Sequence, residues 1–190
     1  MASRIVALLL FLIVSPHSGL AQAATASSAG PTLLLSSTPK LGLLRVELRN
    51  PSAKDLVLNV GIELANGAKQ YPDAVEYTLT TPDGRLLHLE PMEPGLIAGR
   101  VDPLIVPLPA GASFCFFVDL KKYAAPKEKI WELEFSPGRY TVQAEYTGRA
   151  VSQLQANLDV KGIALMRYWV GTVTATPVMF TVTPQNVLGR

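Results

Sequence analysis

The chain has 190 residues, of which 48% are hydrophobic, and its 17 basic and 15 acidic residues give a formal net charge of +2. This near-balance, without a run of like charges, argues against a nucleic-acid-binding surface, since the densest basic spot is the pair Lys121-Lys122. The single cysteine, Cys115, excludes an intramolecular disulfide.

The first 23 residues have the pattern of a cleavable signal peptide. Arg4 precedes an apolar run at residues 5–14, and residues 21–23 (Ala-Gln-Ala) offer the small side chains that signal peptidase recognises. The apolar run is too short to cross a bilayer, and we find no second run of spanning length. We therefore expect export to the periplasm or the extracellular space, and no integral membrane span.

The rest of the chain is expected to form one domain. About 165 residues remain after the leader, enough for a compact core that buries about 70% of the chain's surface. We expect residues 24–30 (ATASSAG) to be a flexible mature N-terminus, residues 31–185 to be a single domain, and residues 186–190 to be a C-terminal tail.

The first half of this domain shows the period-two alternation of β-strands. Residues 44–49 alternate apolar and charged side chains, and in residues 56–64 the even-numbered positions are apolar while Asn59 lies on the opposite face. Residues 75–80 alternate in the same way, and Pro82-Asp83-Gly84 then favours a tight turn. The sequence therefore predicts a β-hairpin over residues 75–90.

The second half continues as strands with one short helical segment. Residues 113–119 (SFCFFVD) are apolar on both faces, which predicts a central strand covered on both sides. A single helical turn is expected at residues 120–123, and the best longer helix candidate is 151–158. The alternation in residues 131–135 predicts another strand. A last strand at residues 178–182 follows Pro177, which favours an edge or a bulge, and loops 91–103 and 148–166 are left as long connections.

Two segments, residues 135–142 and 177–182, carry a resemblance to a known fold. In residues 135–142 (FSPGRYTV) a Pro-Gly turn is followed by Tyr140 at the start of a strand, and a terminal strand, residues 177–182 (PVMFTV), comes much later. These segments resemble the immunoglobulin-like and fibronectin-III-like group. The resemblance implies an antiparallel β-sandwich of about eight or nine strands, in which the hydroxyl of Tyr140 bonds to the backbone a few residues upstream. It implies no activity.

A search for catalytic chemistry in the sequence yields no catalytic residue and no cofactor or metal ligand set. Cys115 lies between two phenylalanines, so we expect a buried, inert thiol. His88 is the one histidine after the leader, and we expect it to face solvent in its strand; one histidine cannot anchor a zinc site. Glu132 and Glu134 share a strand face, but no calcium-loop pattern accompanies them.

The sequence therefore favours an exported, non-catalytic binding or scaffolding domain of unknown ligand. A sandwich-type proteinase inhibitor is the alternative, and a carboxylate-dependent hydrolase is the less favoured third hypothesis. Another exported protein is the expected partner, bound through loops 91–103 and 148–166. The candidate partner surface consists of apolar and aromatic side chains in or beside these loops: Met92, Leu96, Ile97, Tyr168 and Trp169.

Overall fold

The computed structural model describes residues 30–64, 67, 69–92, 101–151 and 161–185. The predicted leader, most of the helix candidate 151–158 and the tail 186–190 lie outside these residues, as do Leu96 and Ile97. The described part is all-β apart from one four-residue helix and two 3-10 turns. Its strands are β1 (Thr32–Ser37), β2 (Leu43–Arg49), β3 (Leu56–Leu64), β4 (Lys69–Tyr71), β5 (Val75–Thr80), β6 (Leu86–Pro91), β7 (Val101–Leu108), β8 (Ser113–Asp119), β9 (Tyr123–Ala124), β10 (Gly138–Gly148), β11 (Gly171–Thr174) and β12 (Val178–Val182).

The strands form three antiparallel sheets within the described residues. The first sheet has the order β1-β2-β8, and the third has the order β4-β3-β7. The second and largest sheet has the order β11-β10-β5-β6-β9, and β12 also pairs with β10. All the strand pairs are antiparallel, which confirms an antiparallel all-β fold. The two-layer sandwich remains a prediction.

One hydrophobic core joins the three sheets. It is built from the alternating apolar positions, because successive side chains of a strand point to opposite faces. Its fully buried members come from every sheet and include Leu44, Val46, Leu48, Leu58, Val60, Leu79, Val142 and Tyr146. The outer face of the second sheet carries polar residues on β5, β6 and β10, and these residues line a cleft.

Several predicted elements are confirmed. Strands β5 and β6 pair as the expected hairpin, with Tyr77 opposite Leu89. The expected helical turn is a 3-10 turn at Leu120–Lys122, stabilised because the Asp119 carboxylate accepts a hydrogen bond from the Lys121 amide at 3.2 Å. Strands β11 and β12 pair with different parts of β10. The pairing is interrupted between these two strands, where Pro177 lies, as expected of a proline at a sheet edge.

Asn59 of β3 is fully buried, as are its neighbours Leu58 and Val60. The alternation places Asn59 on the face opposite Leu58, and the pairing with β7 is regular up to Asn59. A β-bulge then skips a residue of β3 between Asn59 and Gly61. Neither atom of the Asn59 side-chain amide has a hydrogen-bond partner within the described residues, although its backbone carbonyl accepts a bond from the Tyr146 hydroxyl at 3.1 Å.

The prediction that residues 113–119 form a doubly covered central strand is wrong. Strand β8 is at the edge of the first sheet, and only one of its faces reaches the core. Phe117 is 64% exposed, and Cys115 is exposed rather than buried. Cys115 lies next to Arg45 of β2, whose guanidinium nitrogen is 2.9 Å from the sulfur. The apolar residues on both faces of β8 therefore did not mean that both faces are covered by other parts of the protein.

Two further boundaries differ from the prediction. Residues 131–135 form no strand, although Leu133 and Phe135 are buried, and Trp131 is 71% exposed. Strand β7 begins at Val101, so it takes the end of the predicted loop 91–103. After β10 the described chain resumes with helix α1 (Lys161–Ala164). No helix in the described ranges is long and apolar enough to cross a membrane.

Candidate functional site

A cleft of about 480 Å³ involves the polar outer face of the second sheet. Its floor is formed by β10, β5 and β6, three adjacent strands, and its ends reach β4 and β9. Regular strands fix the positions of these side chains more rigidly than loops would. The lining residues are Tyr71, Pro72, Asp73, Val75, Glu76, Tyr77, Thr78, His88, Leu89, Glu90, Pro91, Tyr123, Lys127, Gln143, Ala144, Glu145 and Thr174.

A row of three glutamates crosses the strands of the cleft. Glu145 of β10 is directly opposite Glu76 of β5. Tyr77 is paired with Leu89, so the same register places Glu90 of β6 beside Glu76 on its other side. All three side chains are exposed. Like charges in directly opposite positions of a sheet destabilise it, so this acidic row is by itself an unfavourable arrangement.

A second row of polar side chains lies parallel to the acidic row. It consists of Gln143, Thr78 and His88, which occupy opposite positions on β10, β5 and β6. The Nδ1 atom of His88 is 2.8 Å from the Glu128 carboxylate, and this hydrogen bond lowers the pKa of Glu128 below its ordinary value. Glu128 therefore orients the His88 ring through Nδ1, and His88 faces solvent as expected.

Two of the lining residues, Tyr77 and Tyr123, belong to the core side of the second sheet, because Tyr77 alternates with Glu76 and Thr78 on β5 and Tyr123 packs against the core. The rings of Tyr77 and Tyr123 meet edge to face, with centroids 5.7 Å apart. Burial raises the pKa of Tyr123 to about 12 and raises the pKa of Tyr77 well above its ordinary value, so both phenols are neutral at physiological pH. The Tyr77 hydroxyl is buried and has no hydrogen-bond partner within the part of the chain that is described.

Three residues of the predicted partner surface are described, Met92, Tyr168 and Trp169, and none of these three lines the cleft. Met92 is 41% exposed and directly follows Pro91, which lines the cleft. The Tyr168 hydroxyl donates a hydrogen bond to the Ile163 carbonyl at 3.0 Å. Trp169 is partly buried and stacks on Tyr146, with ring centroids 5.7 Å apart. Leu96 and Ile97 lie outside the described residues, so the partner surface as a whole remains a prediction.

Sequence reasoning missed the polar residues of the cleft as a site. The alternation assigns Glu76 and Thr78 to one face of β5, and Gln143 and Glu145 to one face of β10. What the alternation lacks is the pairing of β5 with β10, two strands far apart in the chain. A row of neighbouring carboxylates exists only once that pairing and its register are set.

The described residues offer little for metal binding or for nucleophilic catalysis. No group of three or more histidine, cysteine, aspartate or glutamate side chains among them could hold a metal ion. Cys115 and His88 lie in different sheets, so they do not form a Cys-His pair. The cleft can instead offer carboxylates, an amide, hydroxyls and aromatic rings to a bound molecule.

No family model matches this chain, and neither a curated protein nor a solved structure matches it. The chemistry of the cleft is therefore the basis on which a function is proposed.

Proposed function

We propose that this chain is an exported, non-catalytic binding domain of the immunoglobulin-like sandwich type, and that its ligand occupies the cleft on the second sheet. The observation that carries the proposal is the cleft itself. Its volume of about 480 Å³ falls in the range of ligand sites, and several polar side chains converge on it. The floor is built from regular strands, which holds these groups in place before a ligand arrives.

The sandwich and the export are supported by separate features. The antiparallel sheets and the hydrogen bonds between Tyr140 and Ser136 are those expected of an immunoglobulin-like corner. The pattern of residues 1–23 supports a cleaved leader, and hence a periplasmic or extracellular location. The inhibitor alternative depends on loops 91–103 and 148–166, so it stays a separate prediction.

A hydrolase is the second candidate, because Glu145 and Glu76 are directly opposite each other in the cleft. Glycosidases use such carboxylate pairs. In these enzymes, however, one carboxyl group commonly lies in an apolar pocket that keeps it protonated as the acid. Glu76 and Glu145 are both exposed, and a threonine hydroxyl is 3.2 Å from Glu145. This open polar setting favours binding over acid catalysis.

Thermal unfolding in the presence of small molecules tests the binding proposal. The panel contains sugars, amino acids, polyamines, nucleotides and fatty acids, and the variant Thr78→Trp fills the floor of the cleft. A ligand at about one hundred times its Kd stabilises a protein by about 2.7 kcal/mol, which raises the Tm by several degrees. We expect at least one class to raise the Tm of the wild-type protein, and not that of the variant.

The matched control is Thr181→Trp, an exposed threonine of β12 that does not line the cleft. This variant should respond to the ligand as the wild-type protein does. If no class shifts the Tm, or if Thr78→Trp responds equally, the cleft is not the binding site and the proposal is wrong.

A further inference from the structure

Strand β8 leaves one edge of the first sheet open. Its seven residues pair with β2 in a continuous register without a bulge. Just beyond this ladder, the Leu120 amide donates a hydrogen bond to the Gly42 carbonyl at 2.8 Å. Because hydrogen-bonded and non-hydrogen-bonded pairs alternate in an antiparallel ladder, the even-numbered residues of β8 bond to β2. The backbone groups of Ser113, Cys115 and Phe117 therefore point to the open edge, where no strand of the described chain pairs with them.

This edge lacks the features by which proteins protect the edges of their sheets. Prolines, lysines, bulges and very short strands all discourage a second chain from pairing. In the third sheet, edge strand β7 contains Pro103 and Pro107, and edge strand β4 has three residues and begins with Lys69. The other edge strand of the first sheet, β1, lies against β11 and β12. Strand β8 has no proline, lysine or bulge, and Phe117 is 64% exposed on its outer face.

The sequence of β8 can pair with a second copy of itself. An antiparallel pair that overlaps all seven residues has its twofold axis at Phe116. Ser113 then lies opposite Asp119 of the second copy, and Cys115 lies opposite Phe117. This register pairs odd-numbered residues with each other, so the amides and carbonyls that point to the open edge bond across it. Phe116, which is partly buried in one copy, meets its own counterpart at the axis, and aromatic cross-strand pairs stabilise sheets.

The same register brings opposite charges together. Asp119 is the one charged residue of β8, and its carboxylate is 3.6 Å from the Lys40 ammonium group of the same copy. Arg49 of β2 is exposed, is directly opposite Ser113, and makes no ion pair with a described residue. In the paired register, Asp119 of the second copy lies on the far side of Ser113, about 10 Å from Arg49 along the row. The small serine lets the long arginine side chain reach that carboxylate, and the axis creates the contact twice.

We propose that the open edge of β8 is an interface for a second copy of this chain, which pairs antiparallel around Phe116. The two three-stranded first sheets then become one continuous sheet. No residue of β8 lines the cleft, so this inference is independent of the proposed binding function. One pair of strands is a small contact beside the roughly 1,600 Å² of a standard interface, so we expect a weak dimer that forms at about 0.1 mM protein.

Sedimentation equilibrium of the purified protein, from about 10 µM to about 500 µM, tests this proposal. We expect the average mass to rise from that of a monomer towards that of a dimer. Phe117→Lys brings two ammonium groups together diagonally across the axis, so this variant should stay monomeric. Leu34→Lys is the matched control, because Leu34 is 43% exposed on the outer face of the same sheet but lies in β1. A monomer at every concentration, or an equal effect of the two substitutions, would overturn the proposal.

The native Cys115 tests the register. With the axis at Phe116, the two copies of Cys115 are diagonal neighbours on the outer face, about 7–8 Å apart. This exceeds the Cα separation of up to about 6.8 Å that a disulfide permits. A short bismaleimide linker should therefore join two wild-type copies and fail to join Phe117→Lys. A dimer that the linker does not join would use another surface, and rapid direct disulfide formation on mild oxidation would place the axis at Cys115; either result contradicts the proposal.

Arg49→Gln tests the ion pair across the interface. Exposed ion pairs contribute little individually, and this change removes two of them, so we expect about two- to fivefold weaker dimerisation. Arg139→Gln is the control, because Arg139 is an exposed arginine of β10 that makes no ion pair with a described residue. The control should dimerise as the wild-type protein does, and an unchanged dimer in Arg49→Gln would contradict the register.

Discussion

The hydroxyl of Tyr140 forms two hydrogen bonds with the backbone of Ser136. Its hydroxyl accepts a bond from the Ser136 amide at 3.0 Å and donates one to the Ser136 carbonyl at 3.1 Å. Its ring is buried and stacks on Phe180 of β12, with centroids 5.3 Å apart. The side chain therefore holds the Pro-Gly turn against the strand that comes after it, and it ties the start of β10 to β12.

Tyr140→Phe removes these hydrogen bonds and keeps the ring. We expect the free energy of unfolding to fall by about 1 kcal/mol, because Ser136 is exposed and water can replace its lost partner. Chemical denaturation of both proteins measures the difference. Tyr71→Phe is the control, since no described residue bonds to the Tyr71 hydroxyl; that variant should unfold as the wild-type protein does, and a coincident curve for Tyr140→Phe would refute the corner.

The separation along the chain explains why the contact of Tyr140 could be predicted from the sequence and the surroundings of Cys115 could not. The partner of Tyr140 is four residues away, so the turn sequence already brings the two together. The neighbour of Cys115 is Arg45, which reaches it only because β2 pairs with β8. The Phe-Cys-Phe pattern indicated burial, but exposure depends on whether another layer covers that face, and the sequence around Cys115 carries no such information.

At the scale of elements, β10 is fixed at its end by a tryptophan that comes after the long connection. Trp169 stacks on Tyr146, and its amide donates a hydrogen bond to the Val57 carbonyl at 2.9 Å. Three glycines, Gly30, Gly148 and Gly171, lie against its ring. A Cβ atom added to Gly148 would overlap that ring, so only glycine permits this contact.

Gly148→Ala is therefore expected to displace Trp169 from its contact with Tyr146. Forcing an extra methyl group into a packed site costs about 1–3 kcal/mol of stability. Denaturant unfolding followed by tryptophan fluorescence measures the loss, with Trp131→Phe as the background so that the signal comes from Trp169 alone. Gly162→Ala is the control, because the added methyl group would meet no described atom within 4 Å beyond its chain neighbours and its own helix. Equal stability of the two variants would show that Trp169 does not need Gly148.

Much of the strand content could be predicted from the sequence, while departures from ideal strands could not. Strand β2 and the β5–β6 hairpin show regular alternation, so their location was predictable. The bulge between Asn59 and Gly61 was not predictable, because the period-two alternation of the sequence continues through it while the pairing with β7 shifts by one residue. Residues 131–135 have the alternation of a strand, but no neighbouring strand pairs with them in the described part of the chain.

At the scale of the whole molecule, the cleft is a product of topology. Glu76 and Glu145 come from strands separated by β6, β7, β8 and β9, and they meet because β10 adds beside β5 in the second sheet. The sequence can assign each carboxylate to a face but cannot choose among the possible strand orders. Strands β5, β6 and β10 were therefore predictable one by one, whereas the site that they form together was not.

The export proposal is tested on the intact chain. We expect the exported protein to begin at Ala24, because residues 21–23 present the small side chains that signal peptidase requires. N-terminal sequencing of protein recovered from the exported fraction determines this. Ala23→Tyr should block cleavage and Ala26→Tyr should not; an exported protein that keeps its first 23 residues would contradict the proposal.

The exposed thiol on β8 makes the protein convenient for spectroscopy. Cys115 is the sole cysteine of the chain and is open to solvent, so a maleimide dye can attach to one known position without any engineered substitution. The label would be on the first sheet, whereas the cleft lies on the second. A fluorophore fixed there would report the tumbling of the whole molecule and leave the cleft unmodified.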